Sequence, residues 1–276
     1  MPLGDRLERR ALEGLANRRA ELERLQVFAL GEQSLVMHIQ GIPGIGKTHL
    51  LNALAARIGR AAFVVRIDGR WCEPSPAALC RAICREIGAS ESENSKLVAT
   101  RLSKGAKRTL LVLDSYESFR LLDSWLRQIF LPSLGDSVRT ILSSREAPRP
   151  AWRIAPEWRG LFDSMLVETF SPEVALEYLT SNGVPEDSAR ELNRVTRGHP
   201  LALSLGLALY SSGGQVHASG CWSSSIGAFG GSLSGGCRFR KHADHTGRVP
   251  GPNSHRTATG GHAAAYPNRQ GIGSSA

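Results

Sequence analysis

Eight residues, Gly41-Ile42-Pro43-Gly44-Ile45-Gly46-Lys47-Thr48, restrict what this chain can fold into more than any other stretch. An apolar run, Leu35-Val36-Met37-His38-Ile39, leads into them, and Leu50, Leu51 and Leu54 follow at helical spacing. A G-x-x-x-x-G-K-[ST] turn between a strand and a helix is built to cradle phosphate. The chemistry sets the residue types. Gly41, Gly44 and Gly46 let the backbone curl so that N–H groups point inward, where a Cβ would block an anion. A helix starting near Lys47 adds its positive end. Lys47 is placed to reach β- and γ-phosphates, and the Thr48 hydroxyl to hold Mg²⁺. The expected nucleotide contacts are therefore Gly41, Ile42, Pro43, Gly44, Ile45, Gly46, Lys47, Thr48 and His49. An accidental glycine-rich turn would lack this strand-then-helix setting.

Further strands must lie beside such a cradle. Ala61 to Gly69 contain a short β-branched run bounded by glycine, which reads as a buried strand. Thr109-Leu110-Leu111-Val112-Leu113-Asp114 is apolar throughout and ends in a carboxylate, as in the centre of a parallel sheet covered on both faces. Ligands of open α/β sheets bind at the carboxyl ends of the strands. Asp114 is thus the expected second Mg²⁺ partner, through water. The position after it, where a hydrolytic acid is common, holds Ser115; the nearest acid is Glu117, a candidate base or an ordinary helix-start acid. Val138 to Leu142 form another strand, running into Ser143-Ser144-Arg145, and Arg145 is the candidate γ-phosphate contact. Helices are expected over 5–30, from the phosphate turn to Gly59, over 75–87 (Ser75 as cap, Pro76 at the first position), 96–104 and 119–131.

Residues 147–160, with Pro148, Pro150 and Pro156, break regular structure, and Trp152 and Trp158 are expected to pack this connection onto the sheet. A short strand over 164–169 precedes helices over 172–181, 186–197 and 201–209, a small helical subdomain. The domain reading is 1–150 for the α/β part, 151–210 for connector and helices, and 211–276 for a tail. That tail has 14 Gly and 11 Ser among 66 residues and cannot bury enough apolar surface to offset its ordering entropy. It reads either as a flexible basic arm or as out-of-frame translation of GC-rich DNA. It also carries six Lys+Arg and one acid, Asp244, so +5 of the net +9 lies there and only +4 elsewhere. The charge is weak support for nucleic-acid binding by the folded part.

No apolar stretch approaches the roughly 18 residues of a membrane span. The charged start lacks the apolar core of a signal peptide. Cys72, Cys80, Cys84, Cys221 and Cys237 form no C-x-x-C pair, so free thiols in the cytoplasm are expected, without a membrane partner.

Five blocks in order resemble one family, the STAND branch of the AAA+-related P-loop ATPases, with Orc1-like and NB-ARC-like ATPase domains among its relatives. Asn17-Arg18-Arg19-Ala20-Glu21-Leu22 is similar to its adenine-side motif, with Asn17 where glycine is usual. Gly41 to Thr48 match the Walker A loop and Leu110 to Asp114 the Walker B strand. Ser143-Ser144-Arg145 resembles the sensor strand, and Gly198-His199-Pro200-Leu201-Ala202-Leu203 the G-x-P block of a helical lid, where Pro200 would lie against adenine. The resemblance implies a three-layer α/β sandwich with a parallel sheet and a helical lid, to which the composition adds a disordered tail. It implies ATP or ADP with Mg²⁺ as ligands, and Arg18 and Pro200 as further nucleotide contacts. The function implied is a nucleotide-dependent switch, possible in a transcription regulator, with slow Mg²⁺-dependent hydrolysis by Lys47, Asp114, Glu117 and Arg145. Protein partners or self-association would act through the ATPase domain, and DNA through a fused domain or the tail. The winged-helix domain usual in that family is not recognisable after residue 210. Two alternatives stay open: a small-molecule kinase, against which the Gly198–Pro200 block argues, and a nucleic-acid-binding ATPase acting through the basic tail.

Overall fold

Parallel strands need long crossovers, and this chain supplies a helical connection between successive strands. The computed structural model describes residues 18–212. The expected helical residues 5–17, including Gly14 and Asn17, and the tail from 213 with Cys221 and Cys237 lie outside the described residues.

The sheet has five strands: β1 (Val36–Gln40), β2 (Ala62–Asp68), β3 (Arg108–Asp114), β4 (Val138–Ser144) and β5 (Phe162–Leu166). They lie in the order β2-β3-β4-β1-β5, and every pairing is parallel. β5 follows the boundary expected at residue 150, yet it completes the sheet as the edge strand beside β1. It also begins two residues earlier than the sequence pattern implies.

Side chains alternate across the sheet, and each face acquires its own core. Leu110 and Val112 of β3 join Met37 and Ile39 of β1 against helix α1 (Arg19–Leu30) and helix α2 (Lys47–Ile58). Leu111 and Leu113 point the other way, onto α3 (Pro76–Glu86) and α4 (Ser95–Ser103). Both faces are dry, which is why β3 carries no polar alternation. Ser75 caps α3 as expected, its Oγ accepting the Ala78 N–H at 3.2 Å. Asn94 does the same for α4, accepting from Leu97 at 3.1 Å.

The stretch expected as one helix over 119–131 is broken instead. A 3-10 turn (Tyr116–Leu122), one α turn (Asp123–Trp125), a π turn (Leu126–Phe130) and a closing 3-10 turn (Leu131–Ser133) follow one another. Pro132 has no N–H to continue an α pattern. The Leu131 N–H reaches back five residues to the Leu126 carbonyl, one further than in an α-helix. Trp152 and Trp158 are buried against this segment and the sheet, 5.0 Å apart, so neither presents a face for nucleobase stacking.

Helices α5 (Pro172–Ser181), α6 (Glu186–Thr196) and α7 (Pro200–Ser211) share a third core built on Leu179, Leu192 and Leu203. Phe170 closes the base of this helical group, its N–H donating to Gly198 O at 2.9 Å. Among the described residues no helix is long and apolar enough to cross a membrane.

Candidate functional site

The carboxyl ends of β1, β2, β3 and β4 converge on one cavity of about 430 Å³. The turn after β1 forms its floor. Gly44 adopts φ +76, which a side chain resists, and a Cβ there would come within 2.9 Å of His199 and Leu201 of the helical group. Lys47 opens α2 and folds over the turn, its Nζ donating to Gly41 O at 2.6 Å and Ile42 O at 3.3 Å. Burial pushes the Lys47 ammonium below the ordinary lysine pKa, while Glu117 and Asp114 oppose that shift. Next in α2, Thr48 donates its hydroxyl to Asp114 Oδ2 at 3.2 Å. The expected pairing of phosphate turn and acidic strand end is present.

Asp114 is almost fully buried. Its Oδ1 accepts the Ser115 N–H at 3.0 Å, and Ser115 holds a left-handed backbone, φ 54, to make that bond. Its Oδ2 also accepts from Arg66 at 2.5 Å, and Arg66 bonds Asn52 of α2 as well. Thr48 and Asp114 together offer hard oxygen ligands side by side, a donor set that suits Mg²⁺. When bound there the ion would offset charge on the β- and γ-phosphates.

Glu117 and Arg145 both line the cavity, and they are bonded to each other. Arg145 Nε lies 3.1 Å from Glu117 Oε1, and the Arg145 main-chain N–H donates to Oε2 at 3.1 Å. A proton-accepting role for Glu117 requires its carboxylate to leave Arg145, whereas Arg145 meets Glu117 through Nε and its main chain alone. His49 and Pro200 line the same cavity. Ile42 is exposed and does not line the cavity, whereas the Ile45 side chain turns into the core beneath α2, leaving only its main chain to the turn.

Arg18 is buried and does not line the cavity. Its guanidinium donates to Glu21 at 2.7 Å, to Ile45 O at 3.3 Å and to Glu168 O at 2.5 Å, and stacks 4.8 Å from the Phe170 ring centroid. It ties the phosphate turn to the exit of β5 and the base of the helical group.

His199 makes the other tie. Its Nδ1 accepts the Ala202 N–H at 3.3 Å, capping α7, which leaves Nε2 as the donor to Pro43 O at 2.9 Å.

Sequence reasoning missed Arg66 and Arg70. Both flank the end of β2, and Asp68 of β2 stands in register with Asp114 of β3. Only strand pairing brings them to the site; the one local signal was a charged D-x-R at a strand end.

Comparison with known families now decides the kinship. The model of the NACHT domain matches residues 35–184, more than half of the chain. The chain belongs to the NACHT domain family. NACHT domains are P-loop NTPases, in agreement with the resemblance read from the sequence blocks, and family membership implies nucleotide binding here. No curated protein matches the chain. Among solved structures, Cdc6p from Pyrobaculum aerophilum is similar at a TM-score of 0.52 and 17% identity, covering 72% of this chain and 63% of that one. The Aeropyrum pernix Orc1 protein, solved in complex with DNA, is similar at 0.51 and 18%, covering 71% and 60%. A Walker-type ATPase of Pyrococcus abyssi reaches 0.50 and 16%, covering 71% and 68%. At these identities the likeness concerns the fold alone, and the chain spans about 63% of the first of these proteins.

Proposed function

We propose that this NACHT domain is a STAND-type switch that binds ATP or ADP with Mg²⁺ and positions its helical group according to the nucleotide held. Contact between the helical group and the phosphate turn carries the reading. The His199–Pro43 bond of 2.9 Å and the close approach of Leu201 to Gly44 mean that reshaping the turn around phosphates must move α7. A switch of this kind works only if ATP and ADP favour different arrangements by a few kcal/mol, roughly. Lys47, Thr48 and Asp114 would hold phosphates and metal, and Pro200 would face the base. The Glu117–Arg145 pair supports slow hydrolysis, since the candidate base starts out neutralised. Signalling through protein partners or self-association, and any role in transcription with DNA contact through residues 211–276, belong to the same proposal.

Titration calorimetry of the full chain with Mg-ATP and Mg-ADP tests binding. Limited proteolysis of the 167–171 linker under each nucleotide tests the switch. Distinct cleavage rates with the two nucleotides are expected; equal rates at saturation would refute the switch, and no heat with either would refute the site.

A further inference from the structure

The cavity holds one cation that no motif announces. Arg70 follows β2 on a tight turn, closed by the Trp71 N–H donating to Asp68 O at 3.0 Å. The turn is pinned to the acidic strand end, because the Gly69 N–H donates to Asp114 O at 2.8 Å. A Cβ on Gly69 would meet Ser115 O at 2.7 Å and Phe119 at 3.0 Å, so only glycine lets the turn pack this tightly. Arg70 Nε donates to Asp68 Oδ1 at 3.0 Å and Nη2 to Oδ2 at 2.6 Å. The Arg70 guanidinium in turn holds the Asp68 carboxyl below the usual carboxylate range. Among the described residues Nη1 makes no hydrogen bond. The side chain is half-exposed, at 55%, and lines the cavity with Asp114, Glu117 and Arg145.

We infer that Arg70 is a phosphate-binding residue that makes this site prefer nucleoside triphosphate over diphosphate. The inference rests on the nucleotide reading above and adds a specificity determinant to it. Lys47 and the turn amides serve any diphosphate. Arg70 lines the cavity together with Thr48, Asp114 and Glu117, and the inference puts the third phosphate of a bound triphosphate on that side. Arg70 keeps the Nη1 side of its planar fork free beside Asp68, the shape that pairs with phosphate oxygens. Asp68 orients the fork and fixes its reach.

The test measures equilibrium binding of AMP-PNP and ADP, each with Mg²⁺, to the full chain and its Arg70→Ala, Arg70→Lys and Asp68→Asn variants. Arg70→Ala is expected to weaken AMP-PNP about ten- to a hundredfold and ADP by no more than about twofold, the scale of one charge-assisted hydrogen bond. Arg70→Lys should recover only part of the loss, because an ammonium lacks the fork. Asp68→Asn should lower AMP-PNP affinity alone, by less than Arg70→Ala. Equal weakening of both nucleotides, or none, overturns the inference while the nucleotide reading stands. Should the unaltered chain bind neither, both fall together. Should Arg70→Ala fail to fold, the other two variants still decide through the same ratio.

Discussion

Both ends of the sheet hold arginines and use them in opposite ways. At the amino ends of the strands, Arg139 is buried and gives its donors to the carbonyls of Gly31, Asp136 and Val138. Arg108 joins it at Gly31 O. At the carboxyl ends, Arg66, Arg70 and Arg145 each pair with a carboxylate: Asp114, Asp68 and Glu117. Carbonyls of the chain itself are fixed partners, and losing the arginine leaves them buried and unpaired. Carboxylates at a cavity rim can trade one cation for another. Partner chemistry, more than residue type, separates the arginines that hold the fold from those that face a ligand.

Lys47→Ala breaks the comparison at the ligand end with the largest effect. Affinity for labelled ATP should fall about a thousandfold, or about 4 kcal/mol, with the melting temperature unchanged. Undiminished binding would refute the site. Arg139→Met probes the other end. Urea unfolding should show a loss of about 3 kcal/mol, with nucleotide affinity of the folded protein intact. A loss of affinity without a loss of stability would invert the assignment.

His38 sharpens the contrast from mid-sheet. Burial lowers its pKa from 6.5 to about 4, so the folded chain keeps the ring neutral, near Tyr116 and the buried Asp123. Between pH 6.5 and 4 the unfolded chain binds the extra proton, so the His38 contribution is intact above 6.5 and is lost as pH falls. Its full size is about 3 kcal/mol. The difference in stability between the native chain and His38→Gln should shrink across that window; a pH-independent difference would contradict the buried neutral ring. The smallest effect belongs to the exposed Glu186–Arg190 pair on α6, whose removal should leave the thermal unfolding midpoint nearly unchanged.

What was legible in the sequence was local or periodic. The turn at Gly41–Thr48, the dry strand ending at Asp114 and the Ser75 cap all follow from short-range chemistry, and the structure places them as read. Arg66 and Arg70 were not legible because their role depends on β2 lying beside β3 in one register. The cluster in which Tyr116 and Trp152 both donate to Asp123 Oδ1 at 2.8 Å depends on Trp152 arriving from 29 residues away, so no local window could show it. Arg18 was read from its motif as a nucleotide contact; in the structure its guanidinium donates to the Glu21 carboxylate and to the main-chain oxygens of Ile45 and Glu168.

That arginine works like a bolt through three plates. One guanidinium spans the crown of the loop, the departing edge strand and the ring of Phe170, so none of the three can shift without loosening the others. The Phe170 ring at the base of the helices is thereby joined to the phosphate turn, beside the separate tie that His199 makes to Pro43. Exchanging Phe170 for a smaller ring would loosen the phosphate turn and the helical group together, because one guanidinium holds both.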